Sequence, residues 1–204
     1  MPSTESPSPS RPAHTGRRAP STSTDLALVT SFAALIAVCA ILPALPLGVV
    51  GVPLTLQMFG IFLAGAVLGG RRGFLAVLLY LAVGTAGLPV FSQGAGGLAV
   101  WGGATAGYLV AFPFAALLVG VVASTLARRA AGVYVVGVAV AAAVATLAVV
   151  TPVGALGLSL RLGLSLSEAW AAAAPFIAAD LVKGVVAAIV AGAVHRAFPQ
   201  VLAR

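Results

Sequence analysis

Apolar residues in this chain fall into helix-length blocks rather than an alternating pattern. Six blocks are bounded by break residues or charges: 26–45, 54–68, 74–89, 104–127, 133–153 and 168–196. Each exceeds the ~10 residues of a barrel strand and lacks the polar alternation of one, so the pattern predicts membrane-spanning helices. The second and third lie near the short limit of about 17 residues for crossing a bilayer, which predicts that they are tilted, partly re-entrant or set in a thin edge of the bundle. Pro43, Pro46 and Pro53, with Gly48 and Gly51, interrupt the chain after the first block, because a helix cannot run through them. Residues 1–24 are mostly Pro, Ser and Thr with three arginines, a composition that buries too little apolar surface to fold. They predict a disordered cytoplasmic tail, followed over 25–204 by an all-α membrane domain of six transmembrane helices whose first run Asp25 can cap.

Composition supports the same class. Of the 204 residues 61% are hydrophobic and 7% charged, against about 25% charged in a soluble domain, and mean hydropathy is +1.14. A net charge of +7 would point to nucleic acid in a soluble protein. Here the arginines sort by topology instead. Arg17–Arg18, Arg71–Arg72, Arg128–Arg129 and Arg196 fall before the first block and after the second, fourth and sixth, all on one side, and only Arg161 falls opposite. The positive-inside rule then makes six spans with both termini cytoplasmic the self-consistent arrangement, with the arginines as orientation signals and headgroup contacts and no nucleic-acid role.

The outward loops are then 46–53, 88–103 and 154–167. The middle one, LPVFSQGAGGLAVWGG, carries five glycines that let backbone pass close to another object, and Phe91 and Trp101 offer flat apolar faces. It reads either as a binding lid or as an interfacial loop with an aromatic anchor.

The run PFIAADLVKGVVAAIVAGAVHR, beginning at Pro175, holds one acid, Asp180, and one amine, Lys183. Residues three apart share a helix face, and each ion mid-helix in lipid costs roughly 2.5–3.5 kcal/mol on insertion scales. Such a pair belongs in a bundle interior or a wet cavity, where it either forms a polar binding site or holds helices in register. No GxxxxGK[ST] is present, so ATP-driven work needs a partner. No HExxH or Cys/His cluster exists, and His14 and His195 lie in the tail and at the last helix end, which predicts no metal and no cofactor. A serine nucleophile would find no base at membrane depth but Lys183, so the chain binds and is not an enzyme. Cys39, the single cysteine, packs as a small apolar residue. Ala33 with Ala37, and Ala40 with Ala44, are small-xxx-small pairs that let helices approach closely.

The runs PLTLQMFGIFLAGAVLGGRRG, LLYLAVGTAGLPVFSQGAGGLAVWGGATAGYL and PFIAADLVK occur in an order that resembles the BioY family of biotin transporters, the substrate-binding subunits of prokaryotic energy-coupling-factor (ECF) uptake systems in the cytoplasmic membrane. The resemblance covers about residues 26–200. It implies a six-helix membrane domain with an outward-opening biotin site, energised by a transmembrane coupling protein and two cytoplasmic ATPases. Carried over by position, it implies polar contacts to biotin from Asp180 and Lys183, a pocket lined by Tyr108 after Gly107, and a lid containing Gly96 and Gly97 together with Phe91 and Ala95. Gln57, in the Thr-Leu-Gln segment, is a further candidate contact. Ala33 and Ala37 match the surface by which the family's first helix meets the coupling protein. A stand-alone carrier that couples biotin to protons through Asp180 is the alternative.

Overall fold

The computed structural model describes residues 22–42 and 52–198. Among these residues the chain is all-helical without a strand: α1 (Thr22–Ile41), α2 (Gln57–Leu68), α3 (Gly70–Thr85), α4 (Ala106–Leu126), α5 (Ala131–Leu162) and α6 (Leu166–Ala197). Helices α1, α4, α5 and α6 are long and apolar enough to cross a membrane. Two 3₁₀ turns, Ser92–Gly94 and Leu98–Gly102, shape the loop between α3 and α4.

Several boundaries differ from the sequence expectation for identifiable reasons. Thr22–Thr24, assigned to the tail, form the first turn of α1, while residues 1–21, with His14 and Arg17–Arg18, lie outside the described residues. Asp25 stands within the helix rather than ahead of it, and its Oδ1 pairs with Arg72 Nη2 at 3.0 Å. Helix α3 begins at Gly70, so Arg71 and Arg72 lie in its first turn rather than in a loop, and Gly69 alone, at φ 83°, separates it from α2.

The expected outward loop 154–167 is helix as far as Leu162. Gly154 and Gly157 read as breakers, yet in an apolar medium no water competes for the backbone, and glycine there permits close packing instead. The chain stops at Gly163, which adopts a left-handed φ of 68°. It restarts in a capping box: Ser165 Oγ accepts from Glu168 N, and Glu168 Oε2 accepts from Ser165 N at 2.8 Å. Of the expected loop 46–53, only 52–53 fall within the described residues.

Helix α2 is short and shielded by its neighbours. Of its 12 residues all but Phe59 are buried, among α1, α3, α4 and α6. Ile36, Ile61, Phe62, Val77, Tyr80 and Val119 are among the fully enclosed side chains. The opposite surface is apolar too: Val136, Val140, Leu160, Val182 and Ile189 are exposed, the inversion expected where the surrounding solvent is lipid.

Contacts at the helix ends fix the direction of the bundle. Asp25 and Arg72 bring the starts of α1 and α3 together. The carbonyl of Ala66, near the end of α2, accepts from Tyr134 Oη at 2.8 Å in the first turn of α5, and His195 Nε2, near the end of α6, lies 3.0 Å from the same oxygen. A carbonyl only accepts, so the imidazole carries its proton on Nε2. Gly120 of α4 packs against the Gly69–Gly70 backbone at the same end. Arg71, Arg72, Arg128, Arg129 and Arg196 therefore gather at one end, and Arg161, in the last turn of α5, stands at the other.

A Cβ at Gly120 would lie 2.6 Å from Gly70 Cα, against backbone that cannot swing aside. Gly120→Ala is expected to lower stability in detergent by about 1–3 kcal/mol, the usual range for overpacking. Gly132→Ala, where an added Cβ meets nothing within 4 Å, is expected to leave the thermal unfolding midpoint unchanged.

Candidate functional site

At the end opposite the arginine cluster the helices enclose a cavity of about 200 Å³. Its floor is the first turn of α2, its walls are α4 and α6, and the α3–α4 loop reaches over it. Asp180, Lys183, Tyr108, Gln57, Phe91 and Ala95 all line it, whereas Gly96 and Gly97 do not. Those two glycines shape the loop. Gly97 has φ 82° and donates its backbone N–H to Gly84 O at 2.7 Å, and a Cβ at Gly96 would meet the Leu88 carbonyl.

The loop is fastened at three further places. Trp101 Nε1 donates to Thr85 Oγ1 at 2.9 Å, and Phe91 N donates to Ala95 O at 2.9 Å. The Phe91 ring, almost fully enclosed, meets Tyr80 edge-on with centroids 5.4 Å apart. Tyr80 Oη in turn accepts from Gln57 Nε2 at 3.0 Å. One chain of contacts thus runs from the loop through α3 to the start of α2.

Asp180 is 4% exposed although it is charged. Its Oδ1 accepts from Lys183 Nζ at 2.8 Å, as the spacing of three on one helix face allows. In a low-dielectric interior an unpaired carboxylate would cost several kcal/mol, so the amine offsets the burial of the acid. The pair faces the cavity, not lipid.

Two further polar groups have no such offset. Tyr108 Oη and Ser92 Oγ are buried and lack a hydrogen-bond partner among the described residues, and both residues line the same cavity. A buried polar atom without a partner costs about 1–3 kcal/mol, which a ligand with donors and acceptors would recover. Thr55, Gln93 and Thr105 add further polar groups, and the rest of the lining is apolar, including Met58, Phe112 and Phe176. Phe176 lies beside Tyr108, ring centroids 6.1 Å apart. A mostly apolar chamber with a few convergent polar groups is the form of a small-molecule site.

Sequence reasoning passed over Ser92, Gln93, Thr105 and Phe176. Phe176 was available from its spacing, four residues before Asp180 on the same helix face, and Thr105 from its place three residues before Tyr108. Ser92 and Gln93 carried no such signal, because their placement rests on Gln93 taking a left-handed φ of 60°, which is uncommon away from glycine.

Ala33 is buried in the core at 7% exposure and Ala37 is half-buried, so their face of α1 is largely occupied by the bundle itself. The free face of that helix carries Ala27, Thr30, Ser31 and Ala34.

Comparison with known proteins bears on the family and the fold. The chain is 38% identical over 182 residues to the biotin transporter BioY of Rhizobium etli, covering 88% of this chain and 97% of that protein. It is 44% identical over 191 residues to the biotin transporter BioY of Rhodobacter capsulatus, with 87% and 96% covered. The fold matches a crystal structure at 2.1 Å of the S-component for biotin from an ECF-type ABC transporter, with a TM-score of 0.76 and 28% identity over 85% of this chain and 92% of that one. Residues 12–200 match the sequence profile of the BioY family, and the chain belongs to that family.

Proposed function

We propose that this chain takes up biotin as the substrate-binding subunit of an ECF-type transporter in a prokaryotic membrane, and that it hydrolyses nothing itself. The observation that carries this reading is the buried Asp180–Lys183 pair facing a largely apolar chamber in a member of the BioY family. Similarity to an ECF S-component disfavours a stand-alone proton-coupled carrier.

Biotin offers a ureido ring with two N–H donors and one carbonyl, an apolar thioether ring, and a valerate tail ending in a carboxylate. The Asp180 carboxylate accepts from a ureido N–H, and Lys183 turns from Asp180 to donate to the ureido carbonyl or to the tail carboxylate. Both are charge-assisted bonds, stronger than neutral ones. Tyr108 Oη and Ser92 Oγ, each without a partner, take up further polar groups. Phe91, Phe112, Phe176 and Met58 cover the sulfur ring, and Gln57, tied to Tyr80, closes the floor. Gly96 and Gly97 act through the loop's shape.

The gathering of five described arginines at one bundle end supports an orientation with that end cytoplasmic, six crossings, and the cavity opening outward. Energy then comes from a transmembrane coupling protein and two ATPases. We place the coupling protein on the free face of α1, around Ala27, Ser31 and Ala34, rather than on Ala33.

Two experiments test these assignments. Purified chain titrated with biotin by calorimetry is expected to bind, and Asp180→Asn is expected to weaken binding about 10- to 100-fold, the worth of a hydrogen bond to a charged group. Binding by Asp180→Asn as tight as by the unaltered chain would remove the carboxylate from the site. Ala34→Trp is expected to abolish co-purification with the coupling protein and biotin uptake while leaving biotin affinity unchanged, whereas Ala33→Trp lowers thermal stability. Uptake that survives Ala34→Trp would move the docking surface elsewhere.

A further inference from the structure

Gly154 lies in the second half of α5, outside the cavity lining, yet it is the surface on which the Tyr108 ring rests. A Cβ at that position would come within 2.6 Å of ring atom Cδ1 and closer still to Cε1. Helix α4, which carries the ring, cannot retreat. Its opposite face already lies on backbone: a Cβ on Gly65 of α2 would meet the Ala116 carbonyl, and one on Gly120 would fall 2.6 Å from Gly70 Cα of α3. Phe176 flanks the ring from α6. A ring displaced from α5 is therefore driven toward the cavity, where Asp180 stands.

The placement of Gly154 depends on an irregularity upstream. Before the π turn Thr146–Val150 the buried positions of α5 step through 138, 141, 142 and 145, within it they are 146 and 150, and after it 151, 154, 155 and 158. An uninterrupted 3.6-residue repeat from 145 and 146 would bury 148–150, then 152 or 153, short of 154 and 155. The π turn accommodates one extra residue and rotates the C-terminal half of the helix by about 100°, and this turns Gly154 toward Tyr108.

We infer that Gly154 is a positioning residue that sets the depth of the ligand chamber at Tyr108, and that the π turn at Thr146–Val150 is what brings it there. This rests on the chamber being the biotin site. The size of ligand admitted beside Tyr108 is thus controlled by a residue that never touches the ligand.

A double-variant cycle on the full chain tests it, with Gly154→Ala, Tyr108→Leu and the two combined, read by biotin affinity and, separately, by the ligand-free melting temperature. Gly154→Ala is expected to weaken biotin binding 10-fold or more while Tyr108 is present and less than 2-fold in the Tyr108→Leu background. The ligand-free melting temperature is expected to fall on Gly154→Ala only where Tyr108 is present. Should Gly154→Ala alone fail to fold, the combined variant is expected to restore folding, and failure to do so overturns the assignment. Equal losses in both backgrounds overturn it too, as does a Gly154→Ala chain that binds and melts like the unaltered one. An unaltered chain that binds no biotin refutes the biotin reading instead, while the ligand-free melting cycle still decides what the Tyr108 ring rests on.

Discussion

The energetic constraint behind this structure is the cost of holding a carboxylate where there is little water to solvate it. Asp180 is buried, and a single ammonium 2.8 Å away accounts for its stability in the absence of ligand. The offset is local and incomplete, since a carboxylate has two oxygens with several lone pairs and Lys183 occupies one of them. A pair of this kind is stable enough to fold around and polar enough to exchange partners. That combination suits a site that holds an internal ion pair when empty and a ligand with both donors and acceptors when full.

Such a pair is useful only if the elements around it are rigid. Rigidity here comes from backbone lying on backbone: Gly65 against Ala116, Gly120 against Gly69 and Gly70, and Gly107 against Gly157. Lipid supplies no hydrophobic drive between helices, so close van der Waals contact between small residues must do that work. The cross-links from the loop through Phe91, Tyr80 and Gln57 extend this rigidity to the cavity roof. The three groups a ligand would meet, on α4, α6 and the loop, are thereby held to one geometry.

Much of this was legible beforehand. Asp180 and Lys183 stood out because ions are expensive in an apolar run, and the arginine pairs stood out because they sort by side. The features that escaped had the opposite character, residues whose type permits two readings. Gly154 and Gly157 are breakers in water and packing surfaces in a bundle, and only the partner helix decides which. Small residues occur around the whole of α1, so Ala33 and Ala37 announce close approach without saying to what; Ala33 packs into the protein's own core, while Ala37 stays half-buried. The restart of α6 at Ser165 was in fact readable, since Ser165 and Glu168 stand at the spacing of a capping box. Ser92 and Gln93 were not, because their positions depend on the path of a loop rather than on a periodic element.

The brevity of α2 has a last consequence. At 1.5 Å per residue its 12 residues reach about 18 Å, well under the roughly 30 Å hydrocarbon thickness. The cavity lies at its N-terminal end, against Gln57, Met58 and the preceding Thr55. The chamber begins where this helix does: a core element that ends early lends its first turn as a floor, and the longer helices beside it stand as walls.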